Sequence, residues 1–217
     1  MCRNSSVPIA CVLFLLGGSV ATADKGKELP PGLIADGKVI VEHSFEKSEL
    51  GTGWTANKGD WHVEAGSVIG KEKASDKHAA VLTLAHPHRD STVRFSFKLD
   101  GAKGFNVSFN KDRGHLFRVL IAEDGLTISK DKNKRDPNSK PVVLSKAEGK
   151  FPPGQWHTLL IETVGDKVLV QADNGTRVEA KDAELNVDKT GYRFVIRGSS
   201  LSLDDLVIRQ TAADSQK

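Results

Sequence analysis

The chain has 217 residues, 27% charged and 38% hydrophobic, with a formal net charge of +3. Those proportions describe a globular chain of one or at most two domains and exclude collagenous and low-complexity architectures. The 31 Lys+Arg stand against 28 Asp+Glu in mixed order, which is no nucleic-acid footprint, since that needs basic residues clustered on one face.

Residues 1–23 read as a signal peptide. Arg3 gives a positive start, Ile9 to Leu16 is apolar, and Ala21-Thr22-Ala23 places small residues where signal peptidase cuts. The apolar run is shorter than the roughly 20 residues that span a bilayer, and no later stretch approaches that length, so no membrane insertion is expected. The expectation is a secreted or periplasmic protein starting at Asp24. Most of the apolar run, Val12 to Leu16, follows Cys11 instead of preceding it, which argues against a lipoprotein acceptor. Both cysteines, Cys2 and Cys11, lie inside the peptide, so the mature chain has no disulfide and no thiol nucleophile. An exported chain free of cysteine suits a bacterial periplasm or exterior.

Residues 24–37 form a leader with Pro30-Pro31-Gly32 and Asp36-Gly37, expected to pack late or stay loose. From residue 38 to 209 the hydrophobic period is two, which predicts strands and no confident helix. Val39 to Phe45 opens the series, and short strands flank the Ala65-Gly66 turn. Ala80 to Leu84 follows, then Val93 to Leu99 with apolar and polar residues in strict alternation. Phe105, Val107 and Phe109 repeat the pattern. Further strands are predicted at 116–122, 126–130, 156–164, 167–172, 176–180, 192–197 and 201–209. Asp124-Gly125, Gly165-Asp166 and Asn174-Gly175 suit tight hairpin turns. The long loop 130–155 carries an apolar patch, Val142-Val143-Leu144, fit for an edge strand, and 210–217 is a tail. About a dozen short strands with regular turns predict an all-β sandwich or barrel in a single domain. One Tyr and three Trp cannot furnish the aromatic girdles of a transmembrane barrel.

Three stretches together resemble the concanavalin A-like jelly rolls, a superfamily that includes laminin-G domains, legume lectins and several glycanases. They are Gly53-Trp54 with Trp61-His62-Val63-Glu64-Ala65-Gly66, then Pro153-Gly154-Gln155-Trp156 through Asp173-Asn174-Gly175, and finally Leu203-Asp204-Asp205-Leu206-Val207-Ile208. The resemblance covers about residues 38 to 209 and is strongest to keto-disaccharide hydrolase-type domains of exported bacterial proteins. It implies a jelly-roll sandwich of two antiparallel sheets. It leaves function open, because one superfold hosts lectins, enzymes and spacers.

Acid–base glycosidases need two carboxylates across the scissile bond, and the E-x-D-x-E strand pattern of laminarinase-type jelly rolls is absent. Glu42-x-Ser44-x-Glu46 is the nearest and ends at a strand edge. His86-Pro87-His88 with Asp90 is a weak metal clip, and no metal centre is expected. Asp204-Asp205 offers oxygen ligands for a structural calcium, although no D-x-D-x-D-G loop supports it. Trp61 and Trp156 read as packing residues at strand starts, with sugar stacking as the rival role.

What remains is a polar sheet face. Val93, Phe95, Phe97 and Leu99 face the core, so Arg94 and Ser96 share the other face. Asn106 and Ser108 lie on the polar side of the next strand, and Arg118 interrupts an apolar run. If those strands are neighbours, Arg94, Ser96, Asn106, Ser108 and Arg118 form one patch, expected to bind glycan on the concave face. Arginine pairs well with acidic glycan. A salt bridge from Arg94 or Arg118 to Glu162 or Asp205 is the competing, structural role. The leading function is thus a non-catalytic carbohydrate-interacting module, without nucleic-acid partner. Two alternatives remain: a keto-disaccharide hydrolase using His115, Arg118 and Lys130, implied by the resemblance, and a structural or adhesion domain binding protein.

Overall fold

In the segment 93–99 every second side chain is large and apolar, and the structure buries that set completely: Val93, Phe95, Phe97 and Leu99 point inward. This computed structural model describes residues 25–33, 37–47, 49–133 and 135–211. The expected signal peptide, 1–23, lies outside the described residues, as does 212–217 of the expected tail. Gln210 and Thr211 belong to the last strand.

The strands in chain order are β1 Gly37–His43, β2 Trp54–Lys58, β3 Asp60–Glu64, β4 Ser67–Lys71, β5 Ala80–His88, β6 Ser91–Leu99, β7 Ala102–Lys111 and β8 Gly114–Ala122. They continue as β9 Gly125–Lys130, β10 Val142–Glu148, β11 Trp156–Val164, β12 Lys167–Ala172, β13 Arg177–Lys181, β14 Lys189–Gly198 and β15 Leu201–Thr211. All pairings are antiparallel and make two sheets. The first runs β13-β12-β11-β6-β15-β4-β3, with β1 also on β15, and the second runs β10-β9-β8-β7-β14-β5-β2. The sheets stack face to face and do not close into a barrel, so the expected all-β sandwich is what the chain forms. No helix among the described residues is long and apolar enough to cross a membrane.

The inner faces meet in an aromatic layer. Phe95 and Phe97 of β6 meet Phe194 of β14 and Phe105 of β7 across the sandwich, with ring centroids 5.4 and 5.2 Å apart. Burying each such side chain stabilises by about 1.5–3 kcal/mol, and edge-to-face pairs add about 0.5–1.5 kcal/mol. The turns follow the residue chemistry: Gly165 has φ +56 between β11 and β12, a left-handed value that glycine takes without a Cβ clash. At Gly70 a Cβ would lie 2.3 Å from the Trp61 ring, so glycine there is what lets Trp61 close the sandwich. Trp61 is buried and donates its indole N–H to the Lys58 carbonyl at 2.9 Å, a packing role.

Two expectations bear on the site. The leader, expected to pack late or stay loose, is packed where it is described. Its described part, 25–33, straps across the outer face of the first sheet, where Gly26 N–H donates to Ser96 Oγ (2.8 Å) and Lys27 N–H to Thr158 Oγ1 (3.2 Å). Gly32 and Leu33 N–H groups donate to the Glu162 carboxylate at 2.7 and 3.0 Å, and Gln171 Nε2 donates to the Pro30 carbonyl. A proline-rich segment without a strand ladder thus satisfies its backbone with side chains of the sheet. Secondly, β6 and β7 are consecutive in sequence but belong to different sheets, because the chain crosses the sandwich at Asp100-Gly101.

Candidate functional site

The outer face of the second sheet is assembled by the same alternation that fills the core. Tyr192, Phe194 and Ile196 of β14 point inward and are buried, so Arg193, Val195 and Arg197 point outward. Register then sets a row across five strands: Thr83 of β5, Arg193 of β14, Ser108 of β7, Arg118 of β8 and Ser129 of β9. The next row is Val81, Val195, Asn106, Leu120 and Thr127. Strands lie about 4.8 Å apart, so Arg193 and Arg118 flank Ser108 at a backbone separation of about 10 Å.

From these rows Arg193, Ser108, Arg118, Val195 and Asn106 line a groove of about 530 Å³ whose walls also carry His78, Lys103 and His115. Its lining includes no Asp or Glu among the described residues. Arg118 is held from the rim: its Nε and Nη2 donate to the Asp131 carboxylate. His115 Nδ1 lies 2.8 Å from Asn110 Oδ1, with the imidazole donating. Arg193 has no hydrogen-bond or ion-pair partner among the described residues. Burial pulls its guanidinium below its ordinary value, because desolvation penalises the charged form with no acid to offset it. Arg193 stays protonated at neutral pH, since guanidinium holds its proton to very high pH. A half-buried cation with free donors is the chemical centre of this face.

The structure therefore brings together Asn106, Ser108, Arg118 and His115 of the expected site. Arg94 and Ser96 are elsewhere. They sit on the outer face of the first sheet, beneath the strap, where Arg94 Nη1 donates to the Gly26 carbonyl at 2.8 Å and Nη2 lies 3.4 Å from Glu28. The single patch required β6 beside β7, and the crossing between sheets separates them by the thickness of the core. Neither arginine pairs with Glu162 or Asp205 in a salt bridge. Lys130 also leaves the groove: it shares the inward parity of Leu126 and Ile128 and donates to Asp182 (2.6 Å) and Glu184 (3.1 Å) beyond β13. Arg193, Arg197 and Lys103 were not singled out from sequence. An arginine at i and i+4 flanking Val195 was the available signal, the same kind of interruption that marked Arg118.

The remaining candidates are structural. Trp156 lies under the ammonium groups of Lys25 and Lys98, 4.5 and 5.3 Å from its centroid, so its face is taken. Lys25 Nζ is 2.6 Å from Asp204 Oδ2 and supplies the positive charge there. Asp204 also accepts from Ser67 Oγ, and no cluster of three or more His, Cys, Asp or Glu converges among the described residues. Asp205, with φ +47, sits in the bulge that shifts register between Asp204 and Val207. His88 stacks on Tyr192 at 4.4 Å, and Asp90 accepts from Gly165 N–H, so the two are drawn to different partners.

No family model and no curated protein matches the chain. Solved structures do match its fold. The carbohydrate-binding module CBM66 from Bacillus subtilis superposes with a TM-score of 0.59 at 12% identity, over 73% of this chain and 96% of that one. A GlcNAcα1-4Gal releasing endo-β-galactosidase from Clostridium perfringens gives 0.61 at 12% identity, over 88% and 66%. SCLam, a non-specific endo-β-1,3(4)-glucanase of family GH16, gives 0.59 at 13% identity, over 84% and 94%. At these identities the likeness establishes architecture alone, a jelly-roll sandwich of two antiparallel sheets.

Proposed function

We propose that this concanavalin A-like domain binds glycan in the groove on its second sheet without cleaving it, and that the glycan is acidic. The observation that carries the reading is Arg193, half-buried with its donors unused among the described residues, facing Arg118 across Ser108. A guanidinium recognises a carboxylate or sulfate through paired hydrogen bonds, while Asn106 and Ser108 offer the donors and acceptors that sugar hydroxyls need. The matched folds belong to proteins described as binding or cutting carbohydrate, which supports the choice of ligand class. The groove lining has no carboxylate pair, which favours binding over acid–base hydrolysis.

A charge-assisted hydrogen bond is worth about 1.5–3 kcal/mol, so Arg193→Ala is expected to weaken affinity for uronate or sulfated oligosaccharides by about tenfold or more. Glycan-array retention followed by titration calorimetry measures it. Retention of neutral and acidic sugars alike, undiminished in the variant, would refute the reading. Catalysis is the second reading, favoured by His115 and Arg118 sharing the groove; release of reducing ends or unsaturated sugars from the panel would select it. Export belongs to the same proposal, because such polysaccharides lie outside the cytoplasm. N-terminal sequencing of the exported product is expected to begin at Asp24.

A further inference from the structure

The groove does not stop at the edge of the sheet. His115 lines it and also lines a second cavity of about 320 Å³ at the β7–β8 hairpin. The walls of that cavity include Lys111 and Arg113 from the hairpin and Lys132 and Arg135 from the segment after β9. The segment is built as a turn: Asn133 N–H donates to Ser139 Oγ (2.8 Å), Arg135 N–H to Asn133 Oδ1 (3.1 Å) and Asp136 N–H to the Asn133 carbonyl (3.1 Å). Of the four cations only Arg113 has an acid beside it, Asp112 at 3.5 Å, and both of those side chains are exposed. Lys111, Lys132 and Arg135 have no ion pair among the described residues.

Four cations gathered on two adjoining turns with one lining acid, Asp112, leave a net repulsion, and an anion between them relieves it. The two cavities share His115 as a wall. From Gly104 to Asn110 β7 covers about 20 Å, so cationic side chains follow a path longer than a single sugar, from Arg197 and Lys103 through Arg193 and Arg118 to Lys132 and Arg135. Among the described residues no Trp, Tyr or Phe lines either cavity. Nucleobases therefore have no ring to stack on, and stacking is what single-stranded nucleic-acid sites rely on.

We propose that the hairpin together with Lys132 and Arg135 forms a second anion subsite, so that the ligand is a linear polyanionic polysaccharide laid along β7 with acidic groups in both basins. This rests on the reading of the first groove as a glycan site. The test compares polygalacturonate, its trimer, neutral dextran and single-stranded DNA, using the full mature chain and two variants, Arg193→Ala and the double Lys132→Ala/Arg135→Ala. The polymer is expected to bind more tightly than the trimer. The double variant is expected to weaken polymer binding about tenfold, flatten its salt dependence and leave the trimer unaffected, with an unchanged melting temperature because both residues are exposed. Arg193→Ala is expected to weaken polymer and trimer together. A double variant that holds the polymer as tightly as wild type, or a polymer no tighter than the trimer, overturns the second subsite and leaves the groove reading intact. DNA bound as tightly as polygalacturonate overturns the polysaccharide assignment. Wild-type protein that retains neither saccharide removes the groove reading and this inference with it.

Discussion

Two arginines in equivalent alternation have opposite fates because of what covers them. Arg94 lies under the strap with its side chain 15% exposed and its donors on Gly26 and Glu28, whereas Arg193 faces an open groove. Arg94→Ala is expected to lower stability by about 1.5–3 kcal/mol and leave glycan affinity unchanged, and Arg193→Ala to do the reverse; thermal melts paired with calorimetric titration separate the two. In the core, Phe97 packs on Phe95, Phe105, Phe151 and His157. Phe97→Ala is expected to cost about 3–5 kcal/mol in a denaturant melt. Which face each residue takes was legible in the sequence, since period two needs only a strand and one apolar anchor. Which sheet the strand joins was not, and that is why Arg94 and Arg118 looked like partners. The alternation at 192–197 was equally legible. Arg193 gained its significance only once register set it beside Ser108.

At the scale of elements, the long 130–155 segment divides into a basic turn, an edge strand and a return to β11. The expected strand at Val142-Val143-Leu144 extends to Glu148 as β10, with Val142 and Val143 exposed. The strand at Trp54–Lys58 escaped notice because all its residues but Trp54 are exposed and Gly53 reads as a turn. Lys130 ties the end of β9 in one sheet to the turn after β13 in the other. Its hydrogen bond to Asp182 raises its pKa above the ordinary 10.5. Burial pushes Asp182 up, but the Lys130 ammonium and the Glu184 N–H outweigh it and hold the carboxyl below 3.8. A depressed carboxylate contributes stability that is present above its unfolded value and is lost as pH falls through the folded one. A raised lysine contributes below 10.5 and loses that contribution as pH rises through its folded value. Lys130→Met is therefore expected to melt lower than wild type at neutral pH, with the gap closing below pH 3.8. Melting temperature against pH for both proteins checks it, and a gap independent of pH would show that packing, not charge, holds the tie.

For the whole molecule, the deciding fact is that chain order and sheet order disagree. The last strand, β15, lies in the middle of the first sheet: it pairs with β6 along one side and with β4 and then β1 along the other. Without it that sheet splits into the β6-to-β13 half and the β3–β4 hairpin, and β1 loses its recorded strand partner. The strap behaves differently, because it lies over a face that is already paired. β15 buries Leu201, Leu203, Leu206 and Ile208, and at about 1.5–3 kcal/mol for each their loss alone is comparable with the roughly 5–15 kcal/mol that keeps a domain folded. A chain ending at Gly198 is accordingly expected to lack a cooperative melt and a near-UV circular dichroism signal. Removal of 25–33 is expected to lower the melting temperature while preserving the cooperative transition and the affinity for acidic glycan. A cooperative transition in the chain ending at Gly198 would mean that the second sheet and its groove fold without the first, and binding could then be assigned to that sheet alone.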